Sequence, residues 1–238
     1  MDDIQRAAAE VGLDAVGVVK AQYLADDAAF MDDWVRQGYH GNMSYLERNC
    51  EKRYDIRQLV EGAQWVIVAL LTYEHSGHDY HRAVKSKLYE LWTLLSNAQQ
   101  HQSPQASNNA QQHQAEGASI AAGEQQRVFC DSAPVLERRL AVMAGLGFIG
   151  RNHQLIHPTL GSRVHIGELV WTEPIHVVHQ SPQANNASAA STLCVDCRRC
   201  VDSCPGGALG QDVWDARRCV AYLTHKCTIC QDVCPYNE

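Results

Sequence analysis

The chain has 238 residues, 45% of them hydrophobic and 20% charged, with ten cysteines and a formal net charge of −7. That length accommodates one sizeable domain plus a small one. An acidic balance also lacks the basic excess of a nucleic-acid surface: residues 1–126 carry 10 Lys/Arg against 17 Asp/Glu, and residues 127–238 carry 10 against 10. The paired bases Arg138-Arg139, Arg198-Arg199 and Arg217-Arg218 leave at most a local basic rim. Met1-Asp2-Asp3 opens with neither a basic stretch nor an apolar run, so no secretory leader is expected. The longest apolar run, Trp65 to Leu71, is too short to span a bilayer, and a cytoplasmic protein is expected.

Taken in chain order, Asp2 or Asp3 can cap a first helix carrying Ile4, Ala7, Ala8 and Val11, ended by Gly12. A short strand follows at Ala15–Val19. Ala28, Met31, Trp34 and Val35 then recur at helical spacing before Gly38. Trp65–Leu71 reads as a strand covered on both faces. Val84, Leu88, Leu91, Trp92 and Leu95 mark a strong amphipathic helix. Ser96 to Gln126 and Gln180 to Ser191 are rich in Gln, Asn, Ser and Ala; they bury too little to offset chain entropy and are expected as disordered insertions. Arg127–Cys130 reads as a buried strand, and Pro134–Ala144 as a helix capped by Ser132 and ended by Gly145. Val164–Trp171 is a further strand. Interleaved strands and helices indicate an α/β or α+β core. The division expected is a core over 1–179, a linker over 180–191 and a small domain over 192–238.

That small domain carries the most specific signal. Cys194, Cys197, Cys200 and Cys204-Pro205 form a complete C-x2-C-x2-C-x3-C-P run, the spacing of a [4Fe–4S] cluster whose fourth cysteine serves a neighbouring cluster. Cys227, Cys230 and Cys234-Pro235 repeat its end, with Thr224 where the first cysteine of that set would stand; Cys219 can replace it. Eight ligands for two clusters are therefore present. Zinc also uses C-x2-C pairs, but it would leave both C-x3-C-P tails without a role. The two remaining cysteines, Cys50 and Cys130, do not suggest a disulfide framework.

Gly145 to Gly150 matches G-x-G-x-x-G, with Glu168 placed 18 residues beyond Gly150. A dinucleotide fingerprint needs a strand before the glycines and a helix after. Here a helix precedes and loop or strand follows, so a helix end with a tight turn, or a loop approaching another cofactor, is the better reading. Asp131 follows an apolar strand and precedes a helix. From the residues alone an ordinary capping aspartate is the first reading; the other is a carboxyl desolvated there and so kept protonated, as a general acid requires.

Several stretches together resemble the epoxyqueuosine reductases, cobalamin-dependent iron–sulfur enzymes of queuosine tRNA modification. They are Gly41–Leu46, Glu51–Asp55, Asp79–His81, Asp131–Glu137, Gly145–Asn152, Gly167–Leu169, Asp215–Cys219 and Tyr222–Thr224. The resemblance implies an α+β core similar to flavin nitroreductases, which binds cobalamin beside a ferredoxin-like double-cluster domain. It implies that Asp131 is the proton donor and a cofactor contact, with Arg53 and the loop containing Gly147, Gly150, Asn152 and His153 near the corrinoid. By the same analogy Cys194, Cys197, Cys200 and Cys234 hold one cluster, and Cys204, Cys219, Cys227 and Cys230 the other. It further implies the anticodon loop of epoxyqueuosine-containing tRNA as substrate, a one-electron donor such as flavodoxin or ferredoxin, and a monomer. Three departures stand out. The chain stops at Glu238, without the helical-repeat tail of longer members. The Cys219–Cys227 interval is short. Ala221 and Thr228 replace residues expected to be polar or acidic. A corrinoid reductive dehalogenase and a simple electron carrier are the rival readings; no twin-arginine leader supports the first, and about 190 residues of core are superfluous for the second.

Overall fold

The computed structural model describes residues 3–77, 79–102, 128–173, 175, 192–210 and 213–238. Residues 103–126 of the first expected insertion and all of the second lie outside this set. In chain order the elements are α1 (Asp3–Glu10), β1 (Ala15–Lys20), α2 (Ala25–Arg36), α3 (Cys50–Tyr54), β2 (Trp65–Thr72), α4 (Tyr73–Ser76), α5 (Tyr80–Gln102), β3 (Val128–Phe129), α6 (Glu137–Met143), β4 (Phe148–Ile149), β5 (Leu155–Ile156) and β6 (Val164–Trp171). The cysteine-rich segment adds α7 (Thr192–Asp196), α8 (Arg199–Asp202), α9 (Val220–Thr224) and α10 (Ile229–Asp232).

The sheet follows from the apolar runs. β2 pairs antiparallel with both β1 and β6, and β3 closes the order β1-β2-β6-β3. Because side chains alternate across a strand, β2 splits its residues between two cores. Val66, Val68 and Leu70 face Leu140, Ala141 and Ala144 of the α6 region. Ile67, Ala69 and Leu71 face Ile4, Ala7 and Ala8 of α1 and Val84, Leu88 and Leu91 of α5. All six β2 side chains are fully buried, and each large one contributes roughly 1.5–3 kcal/mol by leaving water. The result is an α+β sandwich with helices on both faces of an antiparallel sheet.

Two sequence boundaries are corrected. The amphipathic helix does not stop near Leu95: α5 continues to Gln102, so the first residues of the expected insertion are helical. Its Gln and Ala residues have good helix propensity. The helix after Asp131 begins at Glu137 rather than Pro134, with Leu136 as its first flanking residue and no side-chain cap. Its end is where Gly145 places it, in the left-handed region at φ 79°, with the Leu146 N–H donating to Ala141 O at 2.9 Å.

Candidate active site and cluster domain

The cysteine-rich segment consists of helices of four or five residues joined by turns. It is clasped to the core at two places. Trp214 stacks on Trp34 of α2 and accepts a hydrogen bond from its indole N–H at 2.7 Å, while the Asn42 N–H donates to Tyr222 Oη at 3.0 Å. At the other side the Ser162 N–H donates to Asn237 Oδ1 at 2.7 Å, Gln231 Nε2 donates to Ser162 O at 2.9 Å, and Arg163 pairs with Asp232 at 2.6 Å.

Between these clasps the cysteines gather in two sets. Cys194, Cys197, Cys200 and Cys234 line one recess, walled by Asn152 and Tyr236. Burial pushes the Cys200 and Cys234 thiols up, and the nearby Cys194 and Cys197 add to it in both cases. Burial likewise raises Cys230, to about 11, followed by the charges of Cys219 and Cys227, with Cys200 and Cys204 also in reach. Cys204 is brought there by a turn in which Ala208 N–H points at its Sγ, 3.3 Å away, and Gly206 lies against Arg218 O. Among the described residues, no three His, Cys, Asp or Glu side chains converge closely enough for a single metal ion. Cys194, Cys197, Cys200 and Cys234 stand around their recess as the ligands of one cluster would. Crowded, desolvated thiols are also costly as thiolates unless cations neutralise them, so these sets fit iron–sulfur clusters.

The loop Gly147–His153 joins core and cysteines. Gly147 has φ 141°, and a Cβ there would lie 2.2 Å from Ile156 O, so only glycine lets β4 and β5 close into their hairpin. A helix before these glycines and a hairpin after them is not the strand–glycine–helix geometry of dinucleotide sites. Gly150 donates its N–H to Gln154 O at 3.0 Å. Buried Asn152 directs Nδ2 to Cys230 O at 3.4 Å, and Arg151 Nη2 donates to Val195 O at 2.8 Å. His153 sits in the left-handed region at φ 56°. Arg53 is buried, and its guanidinium donates to Leu46 O, Arg48 O and Tyr45 O at 2.8, 3.1 and 3.2 Å. It thereby shapes the 45–48 turn.

Asp131 stands on the wall of an open cleft of about 350 Å³, together with Tyr80, Glu137, Arg138, Ser162 and His165. It is not desolvated as its sequence neighbours suggest: its side chain is 65% exposed. Nor does it cap α6. Its Oδ2 accepts the Tyr80 hydroxyl at 2.8 Å, its N–H donates to Glu137 Oε1 at 2.6 Å, and its backbone is left-handed at φ 51°. Tyr80 is itself fixed by stacking on His165, centroids 4.0 Å apart and planes 5° apart. Burial and the hydrogen bond to Asp131 push the Tyr80 phenol well above its usual range, so it donates rather than ionises.

The desolvated carboxyls are Glu137 and Glu168, to which the sequence assigned no proton chemistry; Glu168 entered only as the acid beyond the glycine motif. Burial raises Glu137 to about 7 even though its bond from Asp131 N–H works the other way. Glu168, in the middle of β6, is fully buried, and among the described residues neither of its oxygens has a hydrogen-bond partner. Burial holds its carboxyl well above the usual range, with the charges of Glu137 and Asp131 adding to it. The available signal was an acid inside the otherwise apolar run Ile166 to Trp171.

A cleft lined by carboxyl and phenol groups, tied through Ser162 to a segment carrying eight cysteines, defines a redox enzyme of the iron–sulfur class. Residues 193–226 match the family described as a 4Fe-4S double cluster binding domain. An epoxyqueuosine reductase from Cyclobacterium marinum is 31% identical over 99% of this chain and 78% of its own length. The chain belongs to the epoxyqueuosine reductase family. A solved epoxyqueuosine reductase with an epoxyqueuosine-modified tRNA stem loop shares the fold at TM-score 0.70 and 21% identity, over 99% of this chain; this chain spans 64% of that one. A reductive dehalogenase whose structure suggests a mechanism for B12-dependent dehalogenation shares it more distantly, at TM-score 0.53 and 16% identity, over 99% of this chain and 31% of the other.

Proposed function

We propose that this chain removes the epoxide oxygen of epoxyqueuosine in tRNA, leaving the alkene of queuosine. The overall change consumes two electrons and two protons and releases water. The observation that carries the reading is the joining of acid and electron source. Asp131 lines the same cleft as Ser162, and Ser162 is hydrogen-bonded to Gln231 and Asn237 of the cluster segment.

Two [4Fe–4S] clusters would be held by Cys194, Cys197, Cys200 and Cys234 and by Cys204, Cys219, Cys227 and Cys230, and would feed electrons singly toward the cleft. The polar, solvent-open cleft beside them suits a bound corrinoid, whose cobalt would supply the reducing centre. Arg53, through the turn it shapes, and Gly147, Gly150, Asn152 and His153 would frame that group. Asp131 would protonate the departing oxygen. Tyr80 keeps the acid's Oδ2 engaged, which leaves its other oxygen to carry the proton. An anticodon-loop base can enter because loop bases unstack readily. The core would comprise residues 1–179 and the cluster unit 192–238, acting as a cytoplasmic monomer supplied by a flavodoxin or ferredoxin.

The test is anaerobic purification with cobalamin, followed by incubation with epoxyqueuosine-containing tRNA and a reductant. Roughly eight irons per chain, one bound cobalamin and formation of queuosine are expected. Stoichiometric zinc, or tight NAD binding without cobalamin binding, would overturn the assignment.

A further inference from the structure

The loop that carries Asp131 is held in an unusual way. Asp131 occupies the left-handed region, which non-glycine residues adopt at a cost and mainly as Asn or Asp. Its N–H is met by Glu137 Oε1 at 2.6 Å across a six-residue irregular turn. An acceptor this short and charged binds more tightly than a neutral one. Glu137 heads α6, which is anchored by buried Leu140, Ala141 and Val142, so the clamp has a rigid base. The side-chain grip is separate: it comes from Tyr80 on α5.

We propose that Glu137 is a positioning residue, a latch whose carboxylate holds the Asp131 backbone in the left-handed turn that aims its side chain into the cleft. This rests on the reading of Asp131 as the proton donor, but the latch itself is a property of the fold and is tested without turnover. The groups facing Glu137 are Asp131 and Cys130 from the β3 end, Arg138 on its own helix, Tyr80 from α5 and Glu168 from β6. Tyr80 and Cys130 keep their protons, since burial pushes both up, so the charges that act on Glu137 are Asp131, which disfavours its ionisation, and Arg138, which favours it. The latch gains a proton, and weakens, as pH falls through neutrality. Its titration near 7 follows first from burial. When Glu137 is neutral, its carbonyl oxygen accepts the same N–H less strongly and the turn opens more often.

Amide hydrogen exchange at Asp131, corrected for the intrinsic pH dependence, tests this in the full chain with its clusters and without substrate. In the wild type, protection of that amide is expected to fall about fivefold from pH 8 to pH 6, the difference between a charge-assisted and a neutral hydrogen bond. Glu137→Gln, which keeps an acceptor of the same shape, should give weaker protection that does not change with pH. Glu137→Ala should lose protection at every pH. On turnover, Glu137→Ala should lower kcat with KM for tRNA little changed, and Glu137→Gln should restore most of it. Equal Asp131 protection in all three proteins, flat with pH, would overturn the latch. Loss of protection in Glu137→Ala without any change in kcat would leave the latch standing and instead count against Asp131 as the donor.

Discussion

The sheet core and the cysteine segment are built on opposite principles. The core buries Val66 to Leu71 of β2 completely and sandwiches the strand between α5 and the α6 region. The segment from 192 onward has helices of at most five residues, and among its described residues only Cys200, Ala208, Leu209, Ala216 and Cys234 are buried. Apolar burial therefore stabilises the first, while the second depends on what its thiols bind and on its clasps to Trp34 and Ser162. The difference teaches that one part of the chain can be folded before the cofactors arrive, and that the other is completed by them.

Removing iron should break this contrast open and produce the largest effect. Because metal binding in such small units is folding free energy, chelation is expected to abolish hydrogen-exchange protection in 192–238 while β2 and α5 remain protected. Uniform loss of protection across the chain would show that the two regions are one cooperative unit. Cys219→Ala sharpens the same point: about half the iron should remain, since Cys219 completes only one set.

A smaller effect lies inside the core, where one group works against stability. Glu168 is buried without a hydrogen-bond partner among the described residues, and its folded-state affinity for a proton is raised above the ordinary carboxyl value of 4.5. Such a group's contribution is fullest below that ordinary value and is lost as pH rises toward its raised folded value. Glu168→Leu should thus stabilise the core by roughly 1–3 kcal/mol near neutral pH, with a smaller gain near pH 4.5, read as a shift in thermal midpoint. A destabilised Leu variant would mean that the carboxyl has a partner, such as an enclosed water.

How much was legible follows the same division. β2 and α1 could be read because their apolar residues repeat at strand and helix periods over enough positions to decide. A double-cluster segment could be read because cysteine spacing in a short loop reports on the group it binds, and residues 193–226 match that family. The start of α6 was misplaced because Pro134 suits a helix's first turn, whereas the left-handed Asp131 and the Glu137 clamp impose an irregular turn first. The environment of Asp131 was misread for a related reason. Neighbours in sequence are apolar, but its side chain leaves the sheet for an open cleft, and the desolvation falls on Glu137 and Glu168 instead. Glu168 lies 37 residues away in the chain yet its strand partner is Phe129, two residues before Asp131; such cross-strand placement has no local signature.

The central claim is that the core supplies a proton through Asp131 to chemistry whose electrons come from the cysteine segment. Turnover of epoxyqueuosine by Asp131→Asn, with iron and cobalamin contents matched to the wild type, tests it most directly. The substitution keeps size and shape, and Asn can still accept the Tyr80 hydroxyl, so both cofactors should stay bound. The rate is expected to fall by roughly 10²–10⁴-fold, as for loss of a positioned general acid. Near-normal turnover by the fully loaded Asn variant would contradict the account and make Asp131 a structural residue of the turn.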